Sequence, residues 1–502
     1  MEFNDLTPAE RRIWEAFPRG EGVDFRESSD EDPGEGASWG PERTVRAKVL
    51  RSLLLGSVAR PGEVAGLKLK GARVTGTLDL KYATVEHPVR MRSCHFERPP
   101  DLYGSQLRAL VLTGSVLPGL TAGTIRVDVV LRLSCCRIAG PVRLAGARLS
   151  GFFLNDAELG VPAPVEDPEV DPEAAQAAHT TEPALQLNHA EIATDLWAAG
   201  LVAHGQVRIN GAVVAGQVNL DDAELHTPRG TALHAETLSV GTDLRAMRLR
   251  AHGRVNLSGA RIPGQLNLAY ARLSYPGGQA LRASSCVIGE LWLREASPIQ
   301  GAVNLRRTQV DLLHVPQEVW PESVHIDGLT YRSLAPSMPA VQRLPLLERE
   351  ESGYLPYAYE QLAASYRTVG DEDGARTVQL AKLRRLRRTL PPHTRLWGVL
   401  QDATVGYGFR PLRAAVWLTA LLLIGAVAFA LNPPPPLKAD EAPGFNPVFY
   451  TLDLMLPIIG FGQESAFAPR GGYQWLSYLL IVAGWLLATT TAAGISRALR
   501  RR

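Results

Sequence analysis

Between residues 255 and 273 apolar side chains return in pairs two apart: Val255 and Leu257, Ala260 and Ile262, Leu266 and Leu268, Ala271 and Leu273. Successive pairs start five, six and five residues apart, at 255, 260, 266 and 271. A helix of period 3.6 does not generate this list, and a flat strand of period two has no reason to restart. A chain that turns a corner about every five residues does generate it, each side of a square coil pointing two side chains inward. The six-residue step carries Gly264, which this pattern assigns to a corner with unusual backbone angles.

The lattice repeats. At an offset of 48 residues, Thr194-Asp195-Leu196 falls on Thr242-Asp243-Leu244, and Gly216-Gln217-Val218-Asn219-Leu220 on Gly264-Gln265-Leu266-Asn267-Leu268. A third copy places Leu281, Ile288, Val303, Leu305 and Val310 under Leu233, Val240, Val255, Leu257 and Ile262. An earlier copy, about 109 to 149, matches at an offset of 76, and its excess falls in the acidic, Pro/Ala-rich stretch 161–183. That stretch predicts a disordered excursion that contributes no coil. "GLKLKGARVTGTLDLKYATV" (66–85) opens the array. Each coil cannot bury its apolar side alone, so residues 61–330 are predicted to stack as a mainly β, parallel β-helix.

The small residue or Leu at one inward place, with Leu, Ile or Val two places on, resembles the pentapeptide-repeat proteins over residues 66 to about 315. That resemblance implies a right-handed square coil, here with a half-coil near 11 residues rather than 10.

A stack needs caps. "LTPAERRIWEAF" offers Thr7 as N-cap, Pro8 at the first helical position and Glu10 to complete a capping box. A second helix is predicted from Glu42 to Leu55, ending at Gly56, with Val49, Leu50, Leu53 and Leu54 as its apolar face. Between them "GEGVDFRESSDEDPGEG" (20–36) predicts a surface loop, and residues 1–60 form an N-terminal helical cap. Residues 331–410 are predicted to be a helical hairpin and a basic juxtamembrane region. Within it Tyr359, Leu362, Tyr366, Gly370 and Ala375 fit a tetratricopeptide-like helix pair turned at Gly370-Asp371, a C-terminal cap or, in the alternative, a peptide-binding pair.

The C-terminal region, 411–502, changes the class expected. Ala414 to Leu431 and Trp475 to Ser496 carry no charge, long enough for two transmembrane helices. Basic residues lie before the first, among them Lys382, Arg384, Arg385, Arg387 and Arg388, and after the second at Arg497, Arg500, Arg501 and Arg502; the connecting loop has Lys438 and Arg470. This asymmetry places both termini in the cytoplasm of a cell-membrane protein and makes the lipid bilayer its first partner. The formal net charge of +2 hides that polarity, and no nucleic-acid partner is expected. The four cysteines, Cys94, Cys135, Cys136 and Cys286, read as small apolar fillers of the lattice, one of the adjacent pair Cys135-Cys136 pointing outward.

Chemical motifs are scarce. The chain has no glycine-rich dinucleotide or phosphate loop, no H-E-x-x-H and no C-x-x-C. His204 and His252 hold equivalent places while the next copy has Gln300, which marks a recurring corner residue rather than a ligand. Asp195 and Asp243 are predicted to stabilise turns of their own repeat. No catalytic residue, metal ligand or cofactor is assigned.

"NPVFYTLDLMLPIIGFGQESAF" (446–467), a predicted re-entrant or interfacial segment between the spans, resembles the pore helix and filter of two-span potassium channels, with Ile458, Ile459, Gly460, Phe461 and Gly462 in the filter place. It departs from that family at Ile458, Pro457, Gln463 and Asp453, whose charge needs a partner. The whole chain resembles bacterial membrane proteins that join such a β-helix to a two-span hairpin and often carry the automatic name membrane-associated oxidoreductase. Three functions follow: a non-enzymatic, membrane-anchored cytoplasmic β-solenoid scaffold presenting its side to a protein partner; a homo-oligomeric ion channel with a solenoid regulatory domain; and, by name alone, an oxidoreductase.

Overall fold

The computed structural model describes residues 5–56, 63–162, 182–391, 402, 411–438, 442–456 and 460–499. The chain divides into two compact units, Met1–Gln361 and Leu362–Arg502.

The first unit opens on α1 (Pro8–Ala16). The Thr7 hydroxyl accepts from the Glu10 amide at 3.2 Å, and the Glu10 carboxylate accepts from the Thr7 amide at 2.9 Å. That carboxylate is wholly buried and also takes the Arg46 amide at 3.0 Å and Arg46 Nε at 2.7 Å. The capping box therefore fastens α1 to a strand as well as starting a helix. The acid-rich stretch predicted as a loop supplies β1 (Gly22–Asp24), which pairs in parallel with β3 (Leu67–Lys70). β2 (Thr44–Arg46) pairs likewise with β4 (Arg73–Thr75). The predicted second helix accordingly starts later, as α2 (Ala47–Gly56), because Thr44–Arg46 is taken up as a rung. Its Val49, Leu50, Leu53 and Leu54 are buried.

A parallel β-solenoid of about 11 turns follows. All eight inward positions between Val255 and Leu273 are at most 2 % exposed. The ladder runs Leu196, Val218, Leu244, Leu266. The coil from Leu196 to Val218 is shorter than the one from Val218 to Leu244, and the two together make up the repeat that sets Thr194 on Thr242. The longer coil bulges between His226 and Thr231. Phe152 pairs directly with Leu196, so no rung intervenes across the 161–183 excursion. Its predicted disorder falls on residues 163–181, outside the described residues. The cavity lined by Leu78, Leu80, Leu107 and Leu110 measures about 10 Å³, no more than one water needs.

The corners differ from expectation in an instructive way. Left-handed backbone falls on the five-residue step, at Gly259 (φ 72°) and Tyr270 (φ 60°), each closed by a bond from the next residue's amide: Ala260 to Leu257 at 2.9 Å and Ala271 to Leu268 at 3.1 Å. Gly264, on the six-residue step, is not left-handed; it is required for space. The carboxylate of Asp243 in the preceding coil lies where a Cβ would stand, and its Oδ1 accepts from the Gln265 amide at 2.6 Å. Gly216, Asp195 and Gln217 repeat the device at 2.8 Å. Asp195 and Asp243 therefore join successive coils instead of closing turns of their own. Other side chains close the turns: Asp79 and Asp101 in the early coils, and Asn219, Asn256, Asn267 and Asn304 in the later ones, each accept from the amide two residues on.

At the far end of this unit, α3 (Ala340–Glu348) precedes a parallel bridge between Val324 and Glu350. Glu350 is buried and accepts from the Ile326 amide at 2.6 Å and the Ser352 amide at 3.1 Å, satisfying a last rung that has no further coil to pair with.

α4 (Pro356–Thr368) leads into the second unit. Gly370 (φ 81°) turns the chain, and the Asp371 side chain caps α5 (Glu372–Thr389) through the Gly374 amide at 2.7 Å. Three further helices, α6 (Pro411–Leu431), α7 (Pro447–Met455) and α8 (Gly472–Leu499), enclose Phe429, Tyr450, Leu454, Met455, Phe467 and Leu480. Gly425 of α6 lies against Thr451 and Gly484 of α8 against the Met455 backbone, so the short α7 is gripped by both.

The two predicted transmembrane helices are not supported. Among the described residues no helix is long and apolar enough to cross a membrane.

Candidate functional site

The outer surface of the solenoid carries side chains in columns because every coil repeats the same corner. One column runs His204, His226, His252, Ser274, Gln300. Its three imidazoles stack with centroids 5.3 Å apart and planes tilted by 14° and 9°. His204 Nε2 lies 3.7 Å from Glu158 and His226 Nε2 lies 3.6 Å from Glu224, which Arg250 also pairs. The repeat that sets His204 on His252 passes over His226; setting Val202-Ala203-His204 on Glu224-Leu225-His226, one coil along, would have found it. Among the described residues no group of three or more His, Cys, Asp or Glu is placed to hold a metal ion. A second column stacks Trp292 on His314 at 4.5 Å, and Arg132 lies 4.3 Å over the Phe153 ring. These faces offer repeated, laterally ordered groups rather than a cleft.

The cysteines sit as the lattice predicts. Cys94, Cys136 and Cys286 are fully buried and Cys135 is exposed at a left-handed corner (φ 57°). Burial pushes the thiols of Cys94 and Cys136 up to about 12 and that of Cys286 up to about 11. At neutral pH these three hold their protons, which removes the thiolate that nucleophilic or redox chemistry needs.

In the filter-like segment, Ile458 and Ile459 lie outside the described residues; Gly460, Phe461 and Gly462 (φ 78°) are described. The partner that Asp453 needs is the loop's own backbone. Its buried carboxylate accepts from the amides of Phe461 at 2.5 Å, Gln463 at 2.7 Å and Glu464 at 3.0 Å. Gln463 then accepts from the Asn446 amide at 3.2 Å and donates to the Gly444 carbonyl at 3.3 Å. The carbonyl of Gly462 accepts from Ser465 Oγ and that of Gln463 from the Ala466 amide, each at 3.3 Å. These two carbonyls close a turn. Beyond it Phe467 bridges antiparallel to Pro436, tying the loop to the end of α6.

The basic row lies on α5. Arg384 donates to both carboxylate oxygens of Asp402, Nε at 2.9 Å and the terminal nitrogen at 2.8 Å, and Arg387 reaches the same carboxylate at 3.4 Å. Burial alone would raise the Asp402 pKa, but the two guanidinium groups hold it below the usual carboxylate range. Lys382 and Arg385 are half-buried and Arg388 is exposed. Leu386 and Leu390, in the same stretch, are 36 % and 37 % exposed.

Compared with known protein families, with curated proteins and with solved structures, this chain matches none, so fold and side-chain geometry carry the functional argument.

Proposed function

We propose that this protein is a non-enzymatic scaffold whose β-solenoid presents a rigid side to a protein partner and whose helical unit rests in a lipid bilayer at the cell membrane. The observation that carries the scaffold reading is the register of the outer columns. Successive coils repeat side chains at one rung spacing, about 4.8 Å, and neighbouring coils hold each other in place through backbone and Asp243-type bonds. Such a surface recognises by repetition and costs little entropy on binding, because it is already ordered. The alternation of small and branched inward residues supports a right-handed, pentapeptide-like coil as the finer assignment.

The bilayer reading rests on the second unit. Val416, Leu423, Ile424, Val427 and Leu431 of α6, with Trp475, Leu479, Val482 and Trp485 of α8, are each at least 55 % exposed. A surface of that apolar character is costly in water and marks contact with lipid or protein. The charge asymmetry of the sequence supports an orientation with both termini on the cytoplasmic side. The closed turn around Asp453 and the buried thiols give no support to the channel and oxidoreductase readings.

The test is site-specific photo-crosslinking in intact cells. A photoreactive residue at Arg248, on the outer surface of the coils, is expected to capture one defined protein in the membrane fraction, whereas the same residue at exposed Arg19 does not. Recovery of the chain in the soluble fraction would remove the bilayer reading, and identical capture at both positions would remove the scaffold face.

A further inference from the structure

Two neighbouring rungs near the start of the solenoid read Leu67-Lys68-Leu69-Lys70 and Val89-Arg90-Met91-Arg92. Leu67, Leu69, Val89 and Met91 point inward and are at most 1 % exposed, so the four cations stand on the outer face. The register sets Lys68 against Arg90 and Lys70 against Arg92. Like charges one rung apart, about 4.8 Å, repel each other. Asp24 on β1 offsets Lys70 at 3.7 Å and also pairs with Arg26. Among the described residues Lys68, Arg90 and Arg92 form no ion pair, and Lys70, Arg90 and Arg92 are exposed. The column continues from Arg90 through Val111 to Arg132, and then to Phe153 and Trp197.

We propose that this face docks an extended acidic segment of a protein partner, its carboxylates on alternate residues. The inference rests on the scaffold reading above and names the partner's chemistry. A face that sets cations against each other holds a repulsion that an incoming anion relieves, so charge complementarity fixes the sign of the partner. Spacing fixes its form. Lys68 and Lys70, like Arg90 and Arg92, lie two residues apart on an extended strand, about 6.7 Å, and alternate side chains of an extended segment recur at the same distance. A segment laid along the coil strands therefore brings successive carboxylates to successive cations, and the two arginines offer the planar fork that takes a carboxylate at two points. Single-stranded nucleic acid would need open aromatic faces for its bases. Phe153 has Arg132 over its ring at 4.3 Å, and Phe153 and Trp197 are both half-buried, so the aromatic end of the column offers bases little open ring.

The experiment is fluorescence anisotropy of the purified full chain with a labelled peptide alternating glutamate and serine, against the same peptide with glutamine for glutamate and an oligothymidylate of equal charge. The acidic peptide is expected to bind more tightly than either, and its binding to weaken with added salt. Arg90→Gln and Arg92→Gln should each weaken it by about two- to fivefold, whereas Arg261→Gln, at an exposed cation elsewhere on the coils, should leave it unchanged. Arg90→Gln also removes the like charge beside Lys68, so its melting temperature should equal or exceed that of wild type. A lower melting temperature would make Arg90 a structural residue and overturn the inference. Equal binding of the acidic and neutral peptides, equal losses in Arg90→Gln and Arg261→Gln, or tighter binding of the oligothymidylate would overturn it as well. Each of these leaves the scaffold reading standing, because capture at Arg248 tests that reading without an acidic probe.

Discussion

Replacing Gly264 by alanine separates two reasons for a corner glycine, because this residue is not in the left-handed region. The new Cβ would overlap Asp243 Oδ1 and stand 2.8 Å from the Thr242 carbonyl oxygen. The carboxylate can swing away, but only by giving up the Gln265 amide it holds at 2.6 Å, a charged hydrogen bond whose loss costs about 1.5–3 kcal/mol. The carbonyl cannot swing. It belongs to the preceding coil and accepts from the Gly264 amide at 3.0 Å, so relieving that approach shifts backbone at a further cost of ~1–2 kcal/mol. Gly264→Ala should therefore destabilise this coil by ~3–5 kcal/mol. Asp243→Ala alone, which leaves the Gln265 amide without its acceptor, should cost about 1–3 kcal/mol. The two changes share one lost bond, so the double variant should cost little more than Gly264→Ala, a coupling of ~1–3 kcal/mol. Gly259→Ala, at φ 72°, is the control: it pays about 1–2 kcal/mol for left-handed backbone and shows no coupling to Asp243. Amide hydrogen exchange at Gln265 and Leu268 reads the local opening, and thermal unfolding of the full chain reads the whole. Additivity of Gly264→Ala and Asp243→Ala to within ~0.5 kcal/mol would refute the shared-bond argument.

The same geometry sets further expectations. Leu257→Asp or Leu268→Asp buries an unpaired carboxylate and should cost ~3–5 kcal/mol, read by thermal unfolding; a melting temperature equal to wild type would contradict the inward lattice. Asn267→Asp keeps the acceptor for the Ala269 amide and should be nearly neutral, whereas Asn256→Asp loses the donor to Glu236 at 2.8 Å and sets two carboxylates together, costing about 1–3 kcal/mol; equal melting of the two would contradict the assignment. Glu10 is pulled up by burial but held below its ordinary 4.5 by Arg46 and the backbone amides, so its contribution is present above pH 4.5 and lost as the pH falls through the lowered value. Acid titration of stability should show that loss in wild type, Glu10→Gln should flatten it, and an unchanged acid limb in the variant would count against the clamp. In the native chain a maleimide should label exposed Cys135, slowly because partial burial and Asp156 push its thiol up, and spare Cys94, Cys136 and Cys286 until denaturant is added. Rapid labelling of a second thiol at neutral pH would contradict the burial described.

Which parts of this fold the sequence discloses depends on how far apart the cooperating residues lie. The inward lattice is legible from Val255 to Leu273 because burial is imposed within each side of the coil, and the eight positions named from spacing are all buried. The capping box at Thr7 and Glu10 is legible for the same reason; that Glu10 also holds Arg46 is not, since nothing local announces so distant a partner. Gly264 is assignable from sequence to a corner but not to its cause. Its neighbour in space is Asp243, and finding that neighbour requires the length of a single coil. Here a shorter coil is followed by a longer one, so the sequence displays only their sum. The 48-residue repeat passes over His226 for the same reason, and only the single-coil offset from His204 finds it.

The helical unit shows a different limit. Asp453 is conspicuous in sequence as a charge among apolar residues, which correctly implies a partner, yet its partners are the amides of Phe461, Gln463 and Glu464, groups that every residue but proline carries and that no letter distinguishes. The resemblance of Gly460-Phe461-Gly462 to a filter rests on side-chain identity and glycine spacing, both of which a closed turn also satisfies. What separates the two is where the backbone groups are spent: the Gly462 and Gln463 carbonyls are engaged within 446–467, and the amides beside them converge on one carboxylate of α7. Removing that carboxylate should loosen the turn regardless of any ion, which makes Asp453 a positioning residue of the loop and sets the length of apolar chain on either side as a separate question, answered by lipid contact rather than by the G-F-G spelling.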